Sequence, residues 1–75
     1  MESSEFYKLC EKLTRALPKY RWTISRIHDK PTMLMIKKFD LENTFPRATF
    51  YRSVDNAESE IEQIIKNTRE LDKDN

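Results

Sequence analysis

Glycine is absent from all 75 residues, and the chain holds one cysteine, one histidine and three prolines. Each shortage removes a class of chemistry. A loop that lays its backbone against a phosphate needs a residue without Cβ, so Walker-type and dinucleotide-binding loops are excluded. A single thiol forms no intramolecular disulfide framework, which fits a reducing compartment such as the cytoplasm. One Cys and one His supply neither a four-ligand zinc site nor a supported nucleophile triad, so no metal, no cofactor and no catalysis are expected. No apolar run approaches the roughly 20 residues that a bilayer span requires. The start, Met1-Glu2-Ser3-Ser4-Glu5, lacks the basic and apolar regions of a secretory leader. A soluble cytoplasmic chain without membrane contact is the expectation.

What the chain does have is charge, at 36% Asp, Glu, Lys and Arg against 37% apolar residues, with a net charge of +1. The near-balance hides a gradient. Residues 15–52 carry nine basic and three acidic side chains, whereas residues 53–75 carry three and seven. A basic segment folded into one group of elements presents a local positive field. Residues 1–75 suffice for a single domain, although a chain this short buries only roughly 60% of its unfolded surface. That leaves room for a partner to complete it.

Apolar residues Phe6, Leu9, Cys10, Leu13, Ala16 and Leu17 recur at spacings of three and four, which predicts an amphipathic helix over about 4–17. Ser3 or Ser4 can cap it, and Pro18 ends it. The period then changes to two. Tyr20, Trp22 and Ile24 alternate with Arg21, Thr23 and Ser25, predicting a strand over 20–28. After a turn at Asp29-Lys30-Pro31-Thr32, strands are predicted over 32–39 and 47–54, joined by Asp40–Pro46. Connections this short favour antiparallel neighbours. Asp55 followed by Glu58 has the spacing of a capping box, and Ala57, Ile61, Ile64, Ile65, Thr68 and Leu71 form one face of a helix over about 56–71. Residues 72–75 are expected to fray. The expected fold is α+β, helix-strand-strand-strand-helix, with a three-stranded antiparallel sheet and both helices packed on one face.

Such a sheet has an open second face, supplied by alternate strand positions. Its basic candidates are Arg21, Arg26, Lys37, Lys38, Arg47 and Arg52. Arg21 and Arg26 have opposite parity unless a bulge intervenes. A subset with Thr23, Thr49 or Tyr51 between its members would contact phosphates through charge and hydroxyls; the plainer role for such residues is to solvate the outer face and guard sheet edges. Cys10, beside Leu9 on the apolar stripe, reads as a small buried hydrophobe, and His28 as a solvent-facing turn residue. Trp22 has the makings of a base-stacking platform, yet shares the parity of Tyr20 and Ile24 and reads as core. Met33, Met35 and Phe39 oppose Leu34 and Ile36 in parity, so an apolar row is expected on the open face, where it would mark a protein interface. Glu58, Glu60 and Glu62 complement a helix N-terminus.

The order of elements, with Phe6, Leu13, Pro18, Arg21, His28, Lys37, Asp40, Tyr51-Arg52-Ser53 and Asp55-Asn56-Ala57 before an Ile-Glu helix, resembles the nine-kilodalton subunit of the signal recognition particle from about Phe6 to Leu71. The resemblance implies a non-catalytic subunit that pairs with the related fourteen-kilodalton subunit, the two sheets side by side on the Alu domain of the particle RNA. It implies RNA contacts at Arg21, Lys37 and Arg52, and with looser alignment at Arg26 and Lys19. The chain departs from that pattern at Asp29-Lys30-Pro31, where the family has a Gly-containing connection, and around Phe45-Pro46, where the link is longer. A double-stranded-RNA-binding domain shares the element order, but its last helix begins with lysines where this one begins Asn56-Ala57-Glu58-Ser59-Glu60. The alternative from another class is a small intracellular protein-interaction domain, of the kind phages and mobile elements encode, that binds a host protein through its sheet.

Overall fold

The computed structural model describes residues 3–73, in the order α1 (Ser3–Ala16), β1 (Tyr20–Ile27), β2 (Lys30–Asp40), β3 (Ala48–Ser53) and α2 (Ala57–Lys73). The expected α+β fold is the one observed. In α1 the three-and-four spacing sets Leu9 and Leu13 against the sheet, and Leu17 follows them into the core. The Leu17 N–H still donates to the Leu13 carbonyl at 2.8 Å, and the Tyr20 N–H donates to the Leu17 carbonyl at 3.2 Å. Pro18, which has no N–H to continue the ladder, stands at the corner between helix and strand.

The strands form one antiparallel sheet in the order β1-β2-β3. Trp22 faces Lys38, Ile24 faces Ile36, and Ile36 faces Phe50 on the other side. Even-numbered positions therefore share the helix-covered face, where Trp22, Leu34 and Ile36 are buried with Ala57, Ile61, Ile64 and Ile65 of α2. Each fully buried Leu or Ile in that layer contributes about 1.5–3 kcal/mol relative to exposure. The indole N–H of Trp22 is buried without an acceptor among the described residues.

Four local expectations are corrected. The β1–β2 turn is His28-Asp29, and β2 already begins at Lys30. The register slips there, from Arg26 opposite Leu34 to Ile27 opposite Lys30, so Pro31, Thr32 and Met33 bulge on the β2 side. Proline fits this place because it has no donor to give to β1. The first helical bond of α2 runs from the Glu60 N–H to the Asn56 carbonyl, at 2.9 Å, which makes Asn56 the N-cap in place of Asp55. The Asp55 N–H instead donates to Ser53 Oγ, at 3.2 Å.

Finally, α2 continues through Asp72 and Lys73, past the predicted end at Leu71; the rest of the predicted frayed tail, residues 74–75, lies outside the described residues. Tyr20 supplies the reason, since its hydroxyl donates to Asp72 Oδ1 at 2.7 Å. That bond is the main cause of a raised Tyr20 pKa, with burial and the Asp72 charge adding to it. A raised folded-state value stabilises the protein fully below about pH 10 and ceases to do so as pH climbs through it. Tyr20→Phe is therefore expected to cost about 1 kcal/mol at pH 7, with the gap to the parent protein closing above pH 10. Urea unfolding at the two pH values measures this, and a gap that persists in alkali would refute the assignment.

Candidate nucleic-acid interface

Odd-numbered strand positions form the face that the helices leave open, and the register arranges them in rows. Arg21 lies opposite Phe39, Thr23 opposite Lys37 and Lys37 opposite Thr49, Ser25 opposite Met35 and Met35 opposite Tyr51, and Met33 opposite Ser53. No paired position in these rows carries a carboxylate. The face is therefore cationic and hydroxyl-rich at the Arg21–Lys37 end, and apolar at the Met33–Met35–Tyr51 end.

Arg21 is held in place there. Its guanidinium carbon stands 4.6 Å from the centroid of the Phe39 ring, and its Nη2 donates to the Asn43 carbonyl at 3.4 Å. The β2–β3 loop thus reaches the open face through Asn43. Phe39 is only 7% exposed although it lies on the face without helices. Stacking on the ring orients a planar cation without neutralising it, so the guanidinium keeps donors for a phosphate. Arg47 is committed elsewhere, with Nε 3.2 Å from Asp40 Oδ2.

Arg21 and Lys37 come together on the open face as the alternation predicts. Arg52 does not join them. It lies opposite Leu34 on the helix side, with Nε 3.0 Å from Glu60 Oε2 of α2 and its guanidinium carbon 5.5 Å from the Phe50 ring centroid. Arg26 is also on the helix side, over the Phe6 ring at 5.9 Å; the bulge comes after Arg26 and does not turn it round. Lys38 covers the Tyr20 ring at 4.5 Å. Lys19 is exposed in the α1–β1 turn, beside Asp40, Leu41, Glu42 and Asn43 at the edge of the sheet. Parity places Phe39 on this face, but its contact with Arg21 and the part played by Asn43 are not readable from sequence. No local signal marks them, because a loop carbonyl 22 residues away makes the contact.

Trp22 is core, as its parity indicates, and so is not a platform for bases. Cys10 is half-buried, and burial pushes its thiol pKa up, which disfavours the nucleophilic thiolate. Among the described residues no three His, Cys, Asp or Glu side chains are grouped to hold a metal ion. None of the described helices is long and apolar enough to cross a membrane. A shallow recess between α1 and α2 is bridged at its rim by Lys12 Nζ, 3.0 Å from Glu62 Oε1, and presents lysines, Arg69 and carboxylates rather than a nucleophile with a base. No protein-family model, curated protein or solved structure matches this chain.

Proposed function

We propose that this chain is a non-catalytic, cytoplasmic RNA-binding subunit resembling the nine-kilodalton signal recognition particle protein. It binds the backbone of a folded RNA through its open sheet face, paired with a related fourteen-kilodalton subunit, and serves co-translational protein targeting. The observation that carries the reading is the cationic end of the open face. Arg21 and Lys37 stand there among Thr23 and Thr49 with no carboxylate in the paired rows, the charge and donor pattern that phosphates select. Arg52, Arg26 and Lys19 are left with supporting places, since the first two face the helices.

The test is titration against a short folded RNA at two salt concentrations, with the chain alone and with a candidate partner subunit. Each phosphate neutralised contributes about 0.9 to the slope of log affinity against log salt. Affinity is expected to fall with added salt, with at least Arg21 and Lys37 contributing to the slope. Absence of salt-dependent binding in both states rejects the reading. One observation favours the second reading, a protein-interaction domain: Met33, Met35 and Tyr51 make the other end of the face apolar. Under that reading a host protein binds, and charge reversal at Arg21 and Lys37 leaves binding intact.

A further inference from the structure

The two central rows of the open face offer different chemistry at a fixed spacing. In one row Lys37 lies between Thr23 and Thr49, a lysine flanked by two hydroxyl residues. In the next row Met35 lies directly opposite Tyr51, a residue that is 54% exposed. Adjacent strands are about 4.8 Å apart, so the thioether and the phenol ring make one continuous apolar step; the ammonium row lies about 7 Å further along the strands. A nucleotide has the same two parts, a flat apolar base and a charged phosphate.

We infer that the Tyr51–Met35 step is a stacking subsite for one unpaired nucleobase of an RNA, with the adjoining phosphate on Lys37. This rests on the RNA-binding reading and adds the class of ligand to it: RNA that offers an unstacked nucleotide, in place of a fully paired helix read by its backbone alone. An exposed aromatic ring accepts the face of any base, and a paired duplex keeps those faces hidden. Methionine adapts its shape to an aromatic neighbour and makes favourable sulfur contacts with it. The step is built on an anchored backbone. The Tyr51 carbonyl accepts from Arg52 Nη1 at 2.9 Å, while the same guanidinium is paired with Glu60. Charge selects the occupant, because a ligand that reaches from this step into the next row meets Lys37, to which an apolar protein segment offers no anion, whereas a nucleotide brings its own.

The full chain, alone and with the candidate partner subunit, is titrated with a short oligouridylate and with a fully paired RNA duplex of equal phosphate count. Tyr51→Ala is expected to weaken oligouridylate binding roughly 5- to 150-fold, the loss of one base stack. The duplex affinity and the salt slope on both RNAs stay unchanged, and Tyr51→Phe binds like the parent. A readout that needs no variant is the Met35 methyl and Tyr51 ring resonances, which move on adding oligouridylate and not on adding duplex. Overturning results are a Tyr51→Ala protein that holds oligouridylate as the parent does, or Met35 and Tyr51 resonances that stay in place when oligouridylate binds. If either occurs while the parent still binds duplex with steep salt dependence, the stacking subsite falls and the RNA reading stands. If the parent binds neither RNA in either state, both fall.

Discussion

Ile36→Ala is expected to lower the unfolding free energy by about 2–5 kcal/mol, while Met35→Ala, one residue before it, costs about 1 kcal/mol or less. Ile36 is fully buried at the centre of the middle strand, opposite Ile24 on one side and Phe50 on the other. Truncating it removes apolar contacts to both neighbours and to the helices behind, and no element beyond them can move in to fill the gap. At about 0.05–0.15 kcal/mol per residue, a chain of 75 residues has roughly 4–11 kcal/mol in all. The Ile36 variant therefore sits near or past the edge of folding. Met35 points to the open face and loses little when shortened. Denaturant midpoints of the two variants decide the matter, provided the slope of the transition is unchanged. Equal costs would mean that β2 is turned over by one residue, which exchanges its faces.

Reversing charge at both Arg21 and Lys37, as Glu, is expected to weaken RNA binding at least a hundredfold and to flatten the salt slope by about 2. Hydrogen bonds to charged groups are worth about 1.5–3 kcal/mol each, so losing two phosphate contacts alone reaches that factor. Thermal stability should change little, since Arg21 is exposed and gives up one long hydrogen bond and one ring contact. Arg52→Glu is the counterpart with the opposite signature. It sets a second carboxylate beside Glu60 in a half-buried site and lowers stability, with no direct loss of slope. If instead Arg52→Glu flattened the slope as much as the double variant without destabilising the fold, the proposed binding face would be the wrong one.

The fold was legible because the chain changes period cleanly. The three-and-four spacing of Leu9 and Leu13 and of Ile61, Ile64 and Ile65 marks helix faces, and the alternation of Tyr20, Trp22 and Ile24 marks a half-buried strand. Half of the site was legible by the same rule, since Arg21 and Lys37 oppose Trp22 and Ile36 in parity. Arg52 shares parity with Phe50, so alternation alone places it among the helices; the resemblance placed it on the RNA, and the register keeps it with Glu60. What sequence did not disclose depends on contacts between distant positions. Asp72 extends α2 because Tyr20 reaches it across 52 residues, and Phe39 is covered on the open face because Arg21 and the Asn43 loop meet over it. Neither pair carries a periodic signal.

The turns of this protein are made entirely from residues with a Cβ, and among the described residues none has a positive φ. The familiar gain from replacing a turn glycine, about 0.4–1 kcal/mol through a less entropic unfolded chain, is thus already present at every described connection. Engineering for thermal tolerance has no glycine to replace there, which leaves proline substitution as the remaining way to stiffen the unfolded chain. A second opening is chemical, an acceptor for the buried Trp22 indole; the cap is already served, since Asn56, which starts α2, is among the best N-cap residues. The converse holds for loop grafting, because a glycine-rich insert at His28-Asp29 would return to the denatured ensemble the freedom that this sequence withholds from it.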